Sequence, residues 1–227
     1  MLIYQGTTDE FVRLNRMNRI ADVMDETFFS FTGRHAGQSE YNSWQNSLTR
    51  VRDLVEVAEL KENYIALEYS VPYNNQSRID CLLFGKSNGQ EVVFLVELKQ
   101  WSKVEATEIE GNYVETFTGG GHRTVLHPSQ QVKGYHNYLL DFVEEFEKEP
   151  TMSLVSCAYC HNYSRTDHAG LFDRIYENIL EKHPVFCKED LPELALELRS
   201  RLSDGTGFEV FNRFMRSRIR PSRKLMD

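Results

Sequence analysis

The sequence predicts a mixed α/β fold, a central sheet flanked by helices, and three observations predict it. The run Glu91-Val-Val-Phe-Leu-Val-Glu-Leu-Lys-Gln-Trp101 has the apolar density of a strand buried in a sheet. Two strand-like segments, about 63–71 and 77–84, precede it, with Asn74-Asn75 and Ser87-Asn88-Gly89 as turns between the three. Helical periodicity then leads into a fourth strand at 152–160. The strands are therefore expected in one mixed sheet flanked by the helices, in an order closer to α/β than to a doubly wound dinucleotide fold.

Element by element, residues 9–29 place Phe11, Leu14, Met17, Ile20, Met24 and Phe28 at helical spacing, with Thr8 or Asp9 available as cap. A break at 32–37 precedes a second helix from about Ser39, whose apolar face is Tyr41, Trp44, Leu48, Val51 and Val55. After the three strands, 112–127 reads as an inserted hairpin turning at Gly119-Gly120-Gly121. These glycines lack the Lys-Ser/Thr of a phosphate-binding loop. A helix follows His127-Pro128-Ser129 and runs to about Lys148. Beyond the fourth strand the chain reads as helical, about 170–181, 190–202 and 207–218.

With 227 residues, 41% hydrophobic and 12% aromatic, the chain can bury a sizeable core. It has neither a stretch of transmembrane length nor a signal-peptide layout, so the expectation is a soluble cytoplasmic protein without a membrane partner. A net charge of −8 argues against generic nucleic-acid binding. Residues 211–224, however, carry six basic residues and no acid, either a phosphate contact or a solvated linker. Cys157-Ala-Tyr-Cys160-His161 has a zinc-like look, but it lies in an apolar strand without a second Cys/His pair, so buried thiols are expected.

The chemistry is expected where Ile79-Asp80 faces Val96-Glu97-Leu98-Lys99. Alternation puts Glu97 and Lys99 on one face with Val93 and Leu95, and charges there are costly unless paired or bound to metal. Carboxylates on neighbouring strands, Asp80 and Glu97, can grip a hard divalent cation, with the Leu98 carbonyl as third ligand. Lys99 can hold a water or stabilise developing negative charge. Gln131 and Tyr135 share a helical face and can position water or phosphate; Tyr138, on the same face, reads as core packing. Glu40 can lean over the site as another acid, or serve only the helix macrodipole.

The set Glu40, Asp80, Glu97-x-Lys99 and Gln131-x-x-x-Tyr135, in this order, resembles the PD-(D/E)XK nuclease superfamily, whose RecB-like branch carries the Gln-x-x-x-Tyr motif. The resemblance implies a restriction-endonuclease-like core with Asp80 and Glu97 binding Mg²⁺ or Mn²⁺. It further implies that Lys99 assists the nucleophilic water, Gln131 orients water or backbone, and Glu40 is the helix-borne acid, with Glu68 as a second candidate. Ile79 replaces the proline of the superfamily's name. Tyr135, Arg78, Arg218 and Arg220 are the expected nucleic-acid contacts.

A closer resemblance is carried by Glu40-Tyr-Asn-Ser-Trp-Gln-Asn-Ser-Leu48, Arg78-Ile-Asp80, Val96-Glu-Leu-Lys-Gln-Trp101, His127-Pro-Ser-Gln-Gln131 and Tyr159-Cys-His-Asn-Tyr163. It is similar to the N-terminal nuclease-like region of bacterial Schlafen-group-3-like nuclease–helicase proteins. The resemblance implies a nuclease core at 1–165 and, at 166–227, a helical extension and basic linker toward a helicase domain acting in cis or in trans. No Walker A sequence is present. The expected function is metal-dependent hydrolysis of DNA in DNA processing or phage defence. The alternatives are a catalytically silent nucleic-acid-binding or scaffolding module and a ribonuclease acting on RNA.

Overall fold

In the computed structural model, residues 1–72, 77–107, 111–165 and 170–222 are described. The chain opens with a strand that helical periodicity hid, β1 (Leu2–Thr7). The expected helix over 9–29 is two helices, α1 (Thr8–Arg16) and α2 (Ile20–Thr32), because the backbone turns left-handed at Asn18, φ 55°. Thr7, rather than Thr8 or Asp9, caps α1, its hydroxyl accepting from the Glu10 N–H at 3.1 Å. Gly33, φ 72°, ends α2, and α3 (Gln38–Val57) follows, burying Trp44, Leu48, Val51 and Val55 as its spacing predicts.

The three central strands are β2 (Tyr64–Ser70), β3 (Arg78–Ser87) and β4 (Gln90–Lys99). Asn88 and Gly89, φ 51° and 77°, make the tight turn between β3 and β4; the expected Asn74-Asn75 turn lies outside the described residues. A short strand, β5 (Val104–Ala106), joins β6 (Tyr113–Thr118) and β7 (Gly121–Leu126), so the expected hairpin belongs to a separate three-stranded sheet. Then come α4 (Pro128–Phe142), β8 (Ser153–Cys160), the short α5 (Glu177–Lys182), β9 (Val185–Cys187), α6 (Leu191–Leu202) and α7 (Gly207–Met215). Helix α4 stops short of Lys148 because Val143 leaves it to bridge Ile219.

The main sheet has the order β1-β2-β3-β4-β8-β9. Pairs from β1 to β4 are antiparallel; β4–β8 and β8–β9 are parallel. Strand β4 thus borders both halves, and its even-numbered residues Val92, Phe94 and Val96 pack with helices α1, α2, α3 and α6, while Val93 and Leu95 pack with α4 and α7. Within residues 170–222, β9 adds an edge strand to the main sheet, α6 seals the first face and α7 the second. All four cysteines are free and buried. Cys157 faces one core and Cys160 the other, so the pair does not converge on one zinc ion.

His127 fixes the start of α4. Its Nδ1 accepts the Ser129 N–H at 3.1 Å and its Nε2 meets the Leu171 carbonyl at 3.0 Å, satisfying the neutral ring on both sides. Burial pushes its pKa down to about 4. Because the folded value lies below the ordinary 6.5, this stability is complete above pH 6.5 and is lost as pH falls toward 4. His127→Asn should therefore remove about 2 kcal/mol of the stability difference between pH 7.5 and pH 5, read by urea unfolding of both proteins. An identical pH profile for the two would contradict the assignment.

Candidate active site

The site forms where β3 begins and β4 ends, beyond the last pair between them, Cys81 with Val96. Parallel pairing of β4 with β8 leaves the carboxyl ends of these strands open, the usual place for a ligand in such a sheet. Regular alternation breaks here. Leu67 and Cys81 face one core, whereas Tyr69 and Ile79, two residues along each strand, face the other. Glu68, φ 55°, is the cause: a non-glycine residue in the left-handed region inside a strand. The switch turns Glu68 and Asp80 toward α3, where both line a cavity of about 230 Å³ with Trp44, Leu67, Leu98 and Lys99.

Four acids gather here, and their partners separate them into two kinds. Glu68 Oε1 accepts from Trp44 Nε1 at 3.1 Å and Oε2 from Arg78 Nε at 3.2 Å. Arg78 also donates to Glu40. Both candidates for the extra acid are thus joined by one guanidinium, and Arg78, expected to touch nucleic acid, is held between them. Asp80 and Glu97 are differently committed. Asp80 Oδ2 accepts the Leu98 N–H at 2.8 Å, and Glu97 Oε1 accepts from Lys99 Nζ at 2.6 Å. Glu97 is only 1% exposed, and its Oε2 is buried with no donor reaching it among the described residues.

Electrostatics follow from that packing. Burial, reinforced by the charge of Asp80, pushes Glu97 up to about 8 and Glu68 up to about 7. Burial raises Asp80 as well, against the pull of Lys99 and the Leu98 N–H. Burial opposes the charge on Lys99, but Glu97 and Asp80 outweigh it and its pKa rises, so the side chain is a firmly held ammonium. Its Nζ also lies 5.5 Å from the centre of the Trp101 ring.

From the other face, α4 brings Gln131 and Tyr135. Gln131 Nε2 donates to Tyr135 Oη at 3.4 Å. Burial and the nearby Glu97 raise the Tyr135 pKa, keeping the phenol protonated as a donor. Arg218 and Arg220 do not join this group. Arg220 pairs with Glu144 and Arg213 with Glu91, beyond the C-terminus of α4 and at the opposite end of β4 from Lys99.

One part of the site was not anticipated from the sequence. Gln100 Nε2 donates to Ser43 Oγ at 2.8 Å and to Ser47 Oγ at 3.0 Å, and Ser47 Oγ meets His161 Nε2 at 3.2 Å. This chain ties the end of β4 to α3 and to the residues after β8. Its residues lie in three of the stretches quoted above, Glu40–Leu48, Val96–Trp101 and Tyr159–Tyr163, but nothing in them says that they meet.

The arrangement suits a cation held by oxygen. Among the described residues, no group of three or more His, Cys, Asp and Glu side chains is placed to hold a metal ion. The donors on offer are two carboxylates, and the buried, unpartnered Glu97 Oε2 is an atom that a hard cation would satisfy.

The family model of the nuclease-related domain, NERD, matches residues 39–158, more than half of the chain. The chain belongs to the nuclease-related domain family. The match runs from the first turn of α3 into β8, so the NERD region contains Glu40, Glu68, Arg78, Asp80, Glu97, Lys99, Gln131 and Tyr135. Membership points to nuclease activity and with it to nucleic-acid binding, and it is consistent with a PD-(D/E)XK-like superfamily. The six-stranded mixed sheet between helices is compatible with a nuclease fold. No curated protein and no solved structure gave a significant match. Among the described residues, no helix of this NERD protein is long and apolar enough to cross a membrane.

Proposed function

We propose that this protein is a metal-dependent nuclease hydrolysing phosphodiester bonds of DNA. The observation that carries the reading is the buried Glu97 Oε2, which no donor among the described residues reaches and which lies beside Asp80 and the Lys99 ammonium. A carboxylate oxygen left this way costs stability unless a ligand completes it. Asp80, Glu97 and the Leu98 carbonyl would hold Mg²⁺ or Mn²⁺, since an all-oxygen donor set favours these over zinc. Such an ion, when bound, polarises the phosphodiester and makes a water more acidic.

The side chains supply the rest. Lys99, charged and anchored on Glu97, stabilises the negative charge that grows on the phosphate oxygens as water adds to phosphorus and the bridging P–O bond breaks. It holds no free lone pair, so it acts as donor and not as base. Gln131 and Tyr135 donate toward the attacking water or the phosphate. Glu40 and Glu68 buttress the site through Arg78.

Residues 1–165 carry all of these groups. The resemblance to Schlafen-group-3-like proteins supports a partnership with a helicase, in DNA processing or phage defence. The test is cleavage of end-labelled single- and double-stranded DNA and of RNA with Mg²⁺, Mn²⁺ or EDTA. Cutting that needs metal is expected. Cutting that persists in EDTA would reject the metal role, and binding without cutting under every condition would favour the silent module.

A further inference from the structure

Beside the acid cavity runs a second groove of about 400 Å³, within the range of ligand sites. One wall is α3. Ser39, Asn42, Ser43 and Asn46 stand there at i, i+3, i+4 and i+7, one face of the first two turns. Their neighbours Trp44, Ser47, Leu48 and Val51 form the buried face. The other wall is Gln100, Trp101 and the hairpin residue Thr118. The two spaces share Ser43, Leu98 and Lys99, so whatever fills the groove lies next to the reacting centre.

We propose that this groove takes an unpaired nucleobase flanking the scissile phosphate, making the enzyme selective for single-stranded or locally unpaired nucleic acid. The inference deepens the nuclease reading and rests on it. The lining decides the occupant. Among the described residues that line it, Lys99 is the one charged side chain, and it is already bonded to Glu97. A groove built to track a duplex backbone needs several free cations. What this one offers instead are amides with donors and acceptors together, suited to base edges, and an indole, suited to stacking. Gln100 is held by Ser43 and Ser47, and Asn42 by Gln38 at 2.8 Å, so the wall is set before a ligand arrives. Asn46 has no hydrogen-bond partner among the described residues. A base buried in this groove has to leave its pairing partner, since the partner's edge would occupy the same side.

The test reads Trp101 fluorescence in the full chain with EDTA present. Trp44, 4% exposed, supplies a constant background. Single-stranded DNA or RNA oligonucleotides should quench the signal, and blunt duplexes of equal length should not; the DNA and RNA arms tell which sugar is preferred. Asn42→Ala with Asn46→Ala should weaken single-strand binding about 10-fold and raise KM more than it lowers kcat. Trp101→Ala and Trp101→Phe lack the reporter, so their affinity is read from the anisotropy of a labelled oligonucleotide; alanine should lose more than phenylalanine, which keeps an aromatic face. Unchanged affinity and strand preference in these variants, with metal-dependent cleavage persisting, would overturn the groove and leave the nuclease standing. Quenching by single strands without cleavage in any metal would support the groove and reject the nuclease.

Discussion

Replacing Lys99 by alanine is expected to lower cleavage about 10³-fold while leaving the fold intact. Removing one oriented donor from a developing oxyanion costs about 10²–10³ in rate, and general acid–base partners contribute on a similar scale. The fold should survive for a specific reason. Breaking a buried ion pair ordinarily costs about 3–5 kcal/mol, because a charge is stranded. Glu97, however, is already pushed up to about 8 by burial and the charge of Asp80 with Lys99 in place, and losing Lys99 pushes it further up, so it stays protonated at neutral pH instead of remaining as a lone buried anion. Circular dichroism and urea unfolding should show a loss well below that of a stranded charge. Cleavage within tenfold of the unsubstituted protein would remove Lys99 from the mechanism.

Gly207→Ala is expected to be the most damaging small substitution, destabilising the protein by about 3–5 kcal/mol. Gly207 begins α7, and its backbone lies directly on the sheet. A Cβ there would strike the Tyr64 nitrogen, come within 2.5 Å of the Phe84 carbonyl oxygen and 2.7 Å of the Asn63 carbonyl carbon. All three are backbone atoms that cannot rotate away, so α7 must lift. Lifting separates Phe211 from Tyr64 and Phe84, now 4.6 and 5.3 Å between ring centres, and Phe214 from Tyr69 at 5.5 Å. Gly134→Ala is the control. Nothing lies within 4 Å of its would-be Cβ on α4, and alanine there should gain up to about 1 kcal/mol. A Gly207→Ala protein within 1 kcal/mol of the original would show that α7 is loosely docked.

The sequence was legible where local pattern and packing agree. Strands β2, β3, β4 and β8 carry dense apolar runs, and α3 has a full-length apolar stripe, so each stands close to its expected bounds. Edge elements were hidden. Strand β1 is six residues next to a helix, and β5 and β9 are three residues each, too short for a period of two to register. At the site, Asp80, Glu97 and Lys99 were readable because charge inside an apolar strand is conspicuous. The left-handed turn of Glu68 was not, since nothing in Leu67-Glu68-Tyr69 encodes a positive φ. Nor was the guanidinium of Arg78 between Glu40 and Glu68, which requires elements 38 residues apart to meet. The placement of the tail arginines was hidden for the same reason: their basic run says nothing of which end of the sheet it reaches.

That last placement has a consequence for reach. Ser222 is hydrogen-bonded to the Asp141 carbonyl, and Arg220 to that of Phe142, at the end of α4 remote from Gln131. Strand β4 lengthens by about 3.3 Å per residue, so the stretch from Glu91, beside these arginines, to Lys99 is roughly 25 Å. Residue 222 therefore stands on the opposite rim of the sheet from the acids, and anything held there is separated from the Lys99 ammonium by the full length of β4.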